Sequence, residues 1–565
     1  MRWNSRAGTG VAVFAAERRL RWLPVCLFGV LLAVGVCLYR DYGLSWDEPE
    51  DRHFGCIAAL CALSPLSEGR SVPISEVRQV IGVDCYYGMG FEMLLVFAEY
   101  CMTGGRVVLA HRLDADVWFL RHLLTFLLVW AGWIAVFFSG KLLWRRTLPA
   151  LIPVLLFLLI PRFWAEAFYN CKDMSFLAAV AIAGYFLLRM MKFPNWRNAA
   201  VFGVFAAFAS SIRLSGGMLF VAGEIALFAS IPSRQSPAKR LLPLFACAAT
   251  AGAALILLYP IGWSDPIRFF LDAVRHLTHY PWNGGVLFFG REYPASHVPW
   301  YYLPGWMAVT LPVPFLGFFF CGHWRAVPWL NARFRPRRNR FRRRCGMLFA
   351  AFFWISFLAV VTGCRTCYNG WRQFYFLAWP MLFIASEGVL LFLRRGAVVR
   401  GVCGAVLALW IASTVAWMWY VHPYQNLFFN VFAGDPNGRF ELDYWYTASC
   451  DALRHIAGTM EPSGEVAAVA LNAVNHAAVG LLTEAQKERV KIVPQEVFCR
   501  YFIYHMPPQW RPEFGGRPFR ADFPTGVRVA HEVKIRTSLF LHPVFVYRIY
   551  EFFPLPADGG RKPPV

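Results

Sequence analysis

Asp47 and Glu48 stand side by side in Trp46-Asp47-Glu48-Pro49, just beyond an apolar run at 24–39. Alone, two acids outside such a run are ordinary solvated loop charges. Their company changes the reading. Arg162, Tyr169, Asn170, Lys172 and Asp173 fall between two later apolar runs, Arg213 ends another and Arg372 opens another. Carboxylates beside several cations suit one kind of reaction. Guanidinium forks and an ammonium hold the phosphate of an amphiphile whose tail stays in a bilayer. A carboxylate takes the proton of an incoming hydroxyl or amine. The cations, or a divalent metal on Asp47 and Asp173, then steady the charge growing on the leaving phosphate.

Each candidate has a plainer role to set beside this one. Arg and Lys near helix ends snorkel to headgroups, and Asp173 can cap the helix that follows it. Tyr169 and Asn170 can shape a turn, and Trp300, Tyr301 and Tyr302 read as an interfacial aromatic belt. Adjacent residues usually point apart and Pro49 restricts Glu48, so Asp47 and Glu48 are not expected to grip the same atom.

The elements that must position these groups are membrane spans. The chain has 565 residues, of which 58% are hydrophobic and only 16% charged, against about a quarter in soluble proteins. The net charge of +22 would suggest nucleic acid in a soluble protein. Here its distribution excludes that: nine arginines fall in the single segment 323–345 between two apolar runs, without aromatic stacking platforms or a known binding module. Lys and Arg collect in cytoplasmic loops, which marks alternate connections as inside. With the N terminus inside, about eleven spans follow, near 23–40, 114–140, 147–162, 174–191, 198–213, 216–232, 241–260, 301–321, 346–363, 373–393 and 401–421. The first is read as retained rather than cleaved, since no small-residue exit site follows it.

This parity sends 41–113, the Pro161–Asp173 turn, Arg213–Gly217, 261–300 and 364–373 to the outer face, together with everything after His422. The long first loop holds apolar pieces too short to cross, expected to lie in the interface. In the loop 261–300, Asp265 and Pro266 open an amphipathic helix with Ile267, Phe270, Leu271, Val274 and Leu277 on one face. Residues 1–421 are thus expected to form the membrane domain. Residues 422–565, with period-2 stretches at 527–536 and 543–552, are expected to form a soluble α/β domain with a disordered tail. Of the fifteen cysteines, parity puts Cys56, Cys61, Cys85, Cys101, Cys171, Cys364, Cys367, Cys450 and Cys499 outside. An oxidising compartment would favour pairing among those of the first loop. Cys364 and Cys367 form a lone CxxC, too little for a zinc or redox assignment.

The ordering of these motifs resembles the GT-C superfamily of polytopic glycosyltransferases, especially the branch with protein O-mannosyltransferases and the bacterial lipid A aminoarabinose transferase. The resemblance rests on Trp46-Asp47-Glu48-Pro49 after the first span, on the segment 161–176 (PRFWAEAFYNCKDMSF), and on RLSGG, YPIGWSDP, NGGVLFFG, VPWYYLPGW and YNGWRQFYF. It covers roughly residues 40–450. It implies a mainly α polytopic fold of about eleven transmembrane helices, and an inverting transfer of a hexosyl or pentosyl group from a polyprenyl-phosphate sugar. It further implies Asp47 as catalytic base with Glu48 and Asp173 beside it, and Lys172, Arg162, Arg213 and Arg372 on the donor phosphate. Tyr87, Tyr169 and Asn170 fall on the substrate side. Glu166, Cys171 and the CxxC depart from the pattern, so the identity of sugar and acceptor does not carry over.

The expected acceptor is therefore a glycolipid, a polysaccharide or a protein. The expected location is a bacterial inner membrane, with a cytoplasmic N terminus and a periplasmic C-terminal domain. The competing expectation is a flippase or transporter that binds a phosphorylated headgroup without chemistry. Transporters tend to show inverted repeats and midplane sites, and neither is evident here. A noncatalytic scaffold is the third, opposed by the intact acidic motif.

Overall fold

The structure, a computed structural model, describes residues 20–67, 69–107, 114–232, 236–278, 280, 282, 284–330, 340–363, 366–460, 467–471, 476–493, 500–504, 525–536 and 543–554. Cys364, Cys499, the first nineteen residues and the tail from 555 lie outside the described residues. Among the described residues, six helices are long and apolar enough to cross a membrane: Ala115–Trp144, Asp173–Lys192, Pro237–Leu257, Arg340–Gly363, Arg372–Leu393 and Ala397–Tyr420. Three bent helix pairs raise the number to nine, and Trp22–Leu38 and Leu214–Ser230 are shorter apolar helices. The chain is a polytopic, mainly helical membrane protein.

Two spans occupy the middle of the bundle. The apolar windows of Arg372–Leu393 and Asp173–Lys192 are 83% and 78% buried by protein, against 11% for Ala397–Tyr420. The central pair therefore packs on other helices all round, whereas the peripheral one presents its side chains to the surrounding hydrocarbon. Lys172, Asp173 and Arg372 sit at the N-terminal ends of the two enclosed helices.

The structure revises two spans in shape. The apolar run 147–162 reads as a single rod, but Thr147–Leu158 and Pro161–Tyr169 meet at 74°. Proline at the first position of the second helix has no N–H to continue the ladder and starts a new one. Pro161–Tyr169, expected as part of an outer turn, is thus a fully buried helix. It leads through Asn170, Cys171 and Lys172 into the start of Asp173–Lys192. A similar bend of 119° separates Tyr302–Thr310 from Val313–His323.

The first outer loop forms helices Glu48–Ser67, Ile74–Ile81 and Gly90–Met102. Ile74–Tyr86 and Gly90–Met102 together are long and apolar enough to cross a membrane but are bent by 119°. Glu48–Ser67 and Gly90–Met102 are joined by a buried, two-bond ion pair, Arg52 Nε to Glu99 Oε2 at 2.9 Å and Arg52 Nη2 to Glu99 Oε1 at 2.6 Å. In the loop 261–300, Pro266–Thr278 is a helix whose Asp265 Oδ1 accepts from Arg268 N. Its Ile267, Leu271 and Val274 are exposed, an apolar stripe of the kind that lies in a bilayer interface.

Beyond His422 the chain first folds back on the bundle. Trp46 N–H donates to Trp445 O, Asn430 N–H to Val309 O, and Phe440 bridges to Phe288. A five-stranded sheet follows, ordered Val490–Val493, Ala467–Leu471, Tyr501–Tyr504, Pro543–Pro554, Thr525–Arg536. The first three strands are parallel and the last two join antiparallel. The two period-2 stretches of the sequence pair with each other antiparallel, Thr525–Arg536 at the sheet edge and Pro543–Pro554 next to it.

Candidate functional site

A cavity of about 670 Å³ opens at the end of the bundle where Lys172, Arg213 and Arg372 meet the first outer loop. Each cation is held by a carboxylate from a different part of the chain. Arg372 Nη1 donates to Asp47 Oδ2, and the same nitrogen is 3.7 Å from Asp173 Oδ2. Arg213 pairs with Asp173 Oδ1. Lys172 Nζ donates to Asp51 Oδ1 at 2.7 Å and lies 4.2 Å from the centre of the Tyr87 ring. Asp47, Asp51, Tyr87, Lys172, Arg213 and Arg372 all line the cavity, and Asp173 stands directly behind two of its arginines.

Local structure explains the placements. Gly370 has φ of 67°, a left-handed turn that favours glycine and sets the chain direction just before Arg372. A Cβ at Gly88 would stand 2.5 Å from the carbonyls of Ser211 and Ile212. Only glycine lets the first outer loop approach this helix end so closely, which brings Tyr87 beside Arg213.

Aromatic rings make much of the wall: Trp46, Tyr280, Trp282, Tyr368, Tyr444 and Tyr446 join Tyr87. The hydroxyls of Tyr87 and Tyr368 are 2.5 Å apart, and Tyr280 donates to Asp84 at 2.7 Å. Burial works to raise Asp47, but the opposing Arg372 guanidinium prevails and holds its carboxyl below the ordinary carboxylate value. Burial, reinforced by neighbouring Glu92 and Asp47, pushes Asp51 up to about 6. Glu441 accepts from Asn369 Nδ2, and burial pushes it up to about 8.

Four of the sequence candidates lie elsewhere. Glu48 points away from Asp47: its Oε2 accepts from Ser45 N–H at 2.7 Å and Ser45 Oγ at 3.0 Å, and Oε1 is 3.0 Å from His122 Nε2. It closes the start of its own helix in the manner of a capping box. Arg162 Nε donates to Phe428 O, and its guanidinium lies over Phe429 at 4.7 Å. It fastens the returning C-terminal segment and does not line the cavity. Tyr169 is buried against Tyr42 and Trp445. Asn170 takes the capping role considered for Asp173: its Oδ1 accepts from Asp173 N at 2.7 Å, and its Nδ2 donates to Glu166. Of the belt candidates, Trp300 and Tyr301 are exposed, but Tyr302 is buried and donates to Tyr368 O.

Sequence reasoning passed over Asp51, Asp84, Tyr368 and Glu441. Asp51 was legible, since it follows Asp47 by one helical turn and its N–H bonds Asp47 O. Ser45-x-x-Glu48 likewise carried a capping signature. Glu441, far along the chain, carried no such signal.

As a divalent-metal pair, Asp47 and Asp173 do not fit. The Arg372 guanidinium bridges them and Arg213 takes the other Asp173 oxygen, so a dication between them would face two fixed positive charges. Nor do the first-loop cysteines pair: Cys56, Cys61, Cys85 and Cys101 are free thiols.

No protein-family model matches the chain, and no curated protein does. Among solved structures, the chain is similar to ArnT from Cupriavidus metallidurans bound to undecaprenyl phosphate. The identity is 11%, the match covers 94% of this chain and 98% of that one, and the TM-score is 0.47. The apo form of ArnT matches at 12% identity over 95% and 98% of the two chains, with a TM-score of 0.45. The archaeal oligosaccharyltransferase AglB from Archaeoglobus fulgidus, in complex with an inhibitory peptide and a dolichol-phosphate, matches at 11% identity. That match covers 85% of this chain and 70% of AglB, with a TM-score of 0.37. What the cavity can do is therefore decided by its own side chains.

Proposed function

We propose that the protein is an integral membrane glycosyltransferase that moves a monosaccharide from a polyprenyl-phosphate donor to a glycolipid, polysaccharide or protein acceptor. One observation carries this reading: Lys172, Arg213 and Arg372 converge with Asp47 in one aromatic-walled cavity at the ends of the two most enclosed spans. Phosphate recognition asks for forked and point cations, sugar recognition for aromatic faces with polar tips, and acceptor activation for a carboxylate.

In the proposed sequence the donor phosphate enters between the cations and competes with Asp47 for Arg372. Asp47, relieved of its partner, becomes the stronger base and takes the proton of the acceptor hydroxyl or amine. The acceptor atom bonds to the anomeric carbon as the bond from that carbon to the phosphate oxygen breaks, with inversion. The polyprenyl phosphate leaves with its charge held by Lys172, Arg213 and Arg372.

The opposite ends of the spans carry Lys141, Arg145, Arg189, Lys192 and Arg342. By the positive-inside rule that end is cytoplasmic and the cavity faces out, in a bacterial cell the periplasm. The test is transfer of radiolabelled sugar from polyprenyl phosphate by purified wild type and Asp47→Asn. Equal activity would remove Asp47 from the mechanism. Lipid movement across vesicles without transfer from any donor would replace the enzyme with a flippase.

A further inference from the structure

Behind the cavity wall lies a set of ligands that the proposed reaction does not use. One carboxylate oxygen of Asp51, one of Glu92 and the sulfur of Cys171 all lie within 4.8 Å of one another, and all three residues are buried. Cys171 Sγ donates to Asp51 Oδ2 over 3.7 Å. Glu92 Oε2 is paired with Arg121, whereas Glu92 Oε1 is buried with no hydrogen-bond partner among the described residues. A buried carboxylate oxygen without a donor is costly unless positive charge reaches it.

We infer that Asp51, Glu92 and Cys171 form a site for a divalent cation of the zinc class. The donor set argues for the metal: a thiolate selects zinc-like ions over magnesium or calcium, and carboxylate oxygens complete such sites. Three protein ligands leave a fourth position open, and Asp51 borders the cavity where a water or substrate oxygen would take it. The charges also balance. With the thiol protonated, two carboxylates are matched by Arg121 and Lys172. Cation binding expels the thiol proton to solvent, giving three negative ligands against the dication and Arg121, so Lys172 is released from Asp51.

The site differs from that of Asp47 and Asp173, which the Arg372 guanidinium bridges. That the released Lys172 then serves a donor phosphate rests on the function proposed above. The cation site itself does not.

The experiment uses the full chain purified in detergent, stripped by a chelator and titrated with Co²⁺ and with Zn²⁺. The readouts are bound metal per chain and the thiolate-to-cobalt charge-transfer band in the near ultraviolet. Wild type should take up about one ion and show the band. Cys171→Asp should keep the ion and lose the band, Glu92→Gln should weaken binding at least about tenfold, and Cys450→Ser should change neither. The wild-type spectrum decides even if a variant fails to fold, because a bound ion without a thiolate band overturns the assignment. Absence of specific uptake, or a band that survives Cys171→Asp, overturns it equally. These readouts need no sugar transfer, so their failure leaves the glycosyltransferase reading intact. Loss of that reading would leave the cobalt band where it is.

Discussion

Arg372 and Asp47 are 325 residues apart in the chain and share an ion pair in the cavity wall. The proposed base is thus held by the proposed phosphate ligand until a donor arrives. Asp47→Asn should lower the transfer rate by about 10²–10⁴. It should leave donor binding unchanged or tighter, because Arg372 then faces one carboxylate, Asp173, instead of two. Steady-state kinetics with separate kcat and donor KM check both parts.

Arg372→Lys keeps the charge but loses the fork that spans Asp47 and Asp173. The expected result is a donor KM raised at least about tenfold with the protein still folded. Arg372→Ala should also lower stability, by up to about 3 kcal/mol, since it strips a partner from the buried Asp173 carboxylate. Thermal unfolding in detergent measures the difference between the two variants.

The Arg52–Glu99 pair is almost wholly buried, with side chains 3% and 2% exposed. Glu99→Gln removes the carboxylate charge that faces the buried Arg52 guanidinium in two bonds and should cost about 3–5 kcal/mol. The double variant Arg52→Met with Glu99→Leu should recover most of that loss. Because Arg52 sits on the helix that carries Asp51 and begins beside Asp47, the single variant should also depress transfer. Unfolding midpoints of wild type, Glu99→Gln and the double variant form the test.

Arg162 supplies the contrast. Its bond to Phe428 O and its place over Phe429 tie down the returning segment. Arg162→Gln should therefore lower thermal stability while leaving donor KM within about twofold. A large rise in donor KM at unchanged stability would return Arg162 to the phosphate site.

Glu441 sets a pH dependence. Burial raises it from 4.5 to about 8, so the folded chain holds a proton that the unfolded chain releases. Its contribution to stability is complete below pH 4.5 and is lost as pH rises through about 8. Glu441→Gln, which mimics the protonated form and can still accept from Asn369, should be more stable than wild type at pH 8 and above. The gap should close toward pH 5. Unfolding midpoints across that range, in one detergent, would show it.

The amino-acid sequence determined the class of the molecule and the span ends at which its charged candidates stand. Apolar runs and the spacing of Lys and Arg depend on local composition alone, because a bilayer demands about 18 apolar residues per crossing wherever they occur. Asp47, Lys172, Asp173, Arg213 and Arg372 could be picked out because each stands at the end of such a run. Which of them meet was a different matter. The turn at Pro161, the close approach at Gly88 and the return of Glu441 and Tyr444 to the bundle are long-range packing events, and nothing in the local pattern encodes them. Only the tertiary structure turned Glu48 and Arg162 away, brought in Asp51, and set Glu92 and Cys171 behind it. A side chain's direction depends on what its element packs against, and those neighbours come from everywhere along the chain.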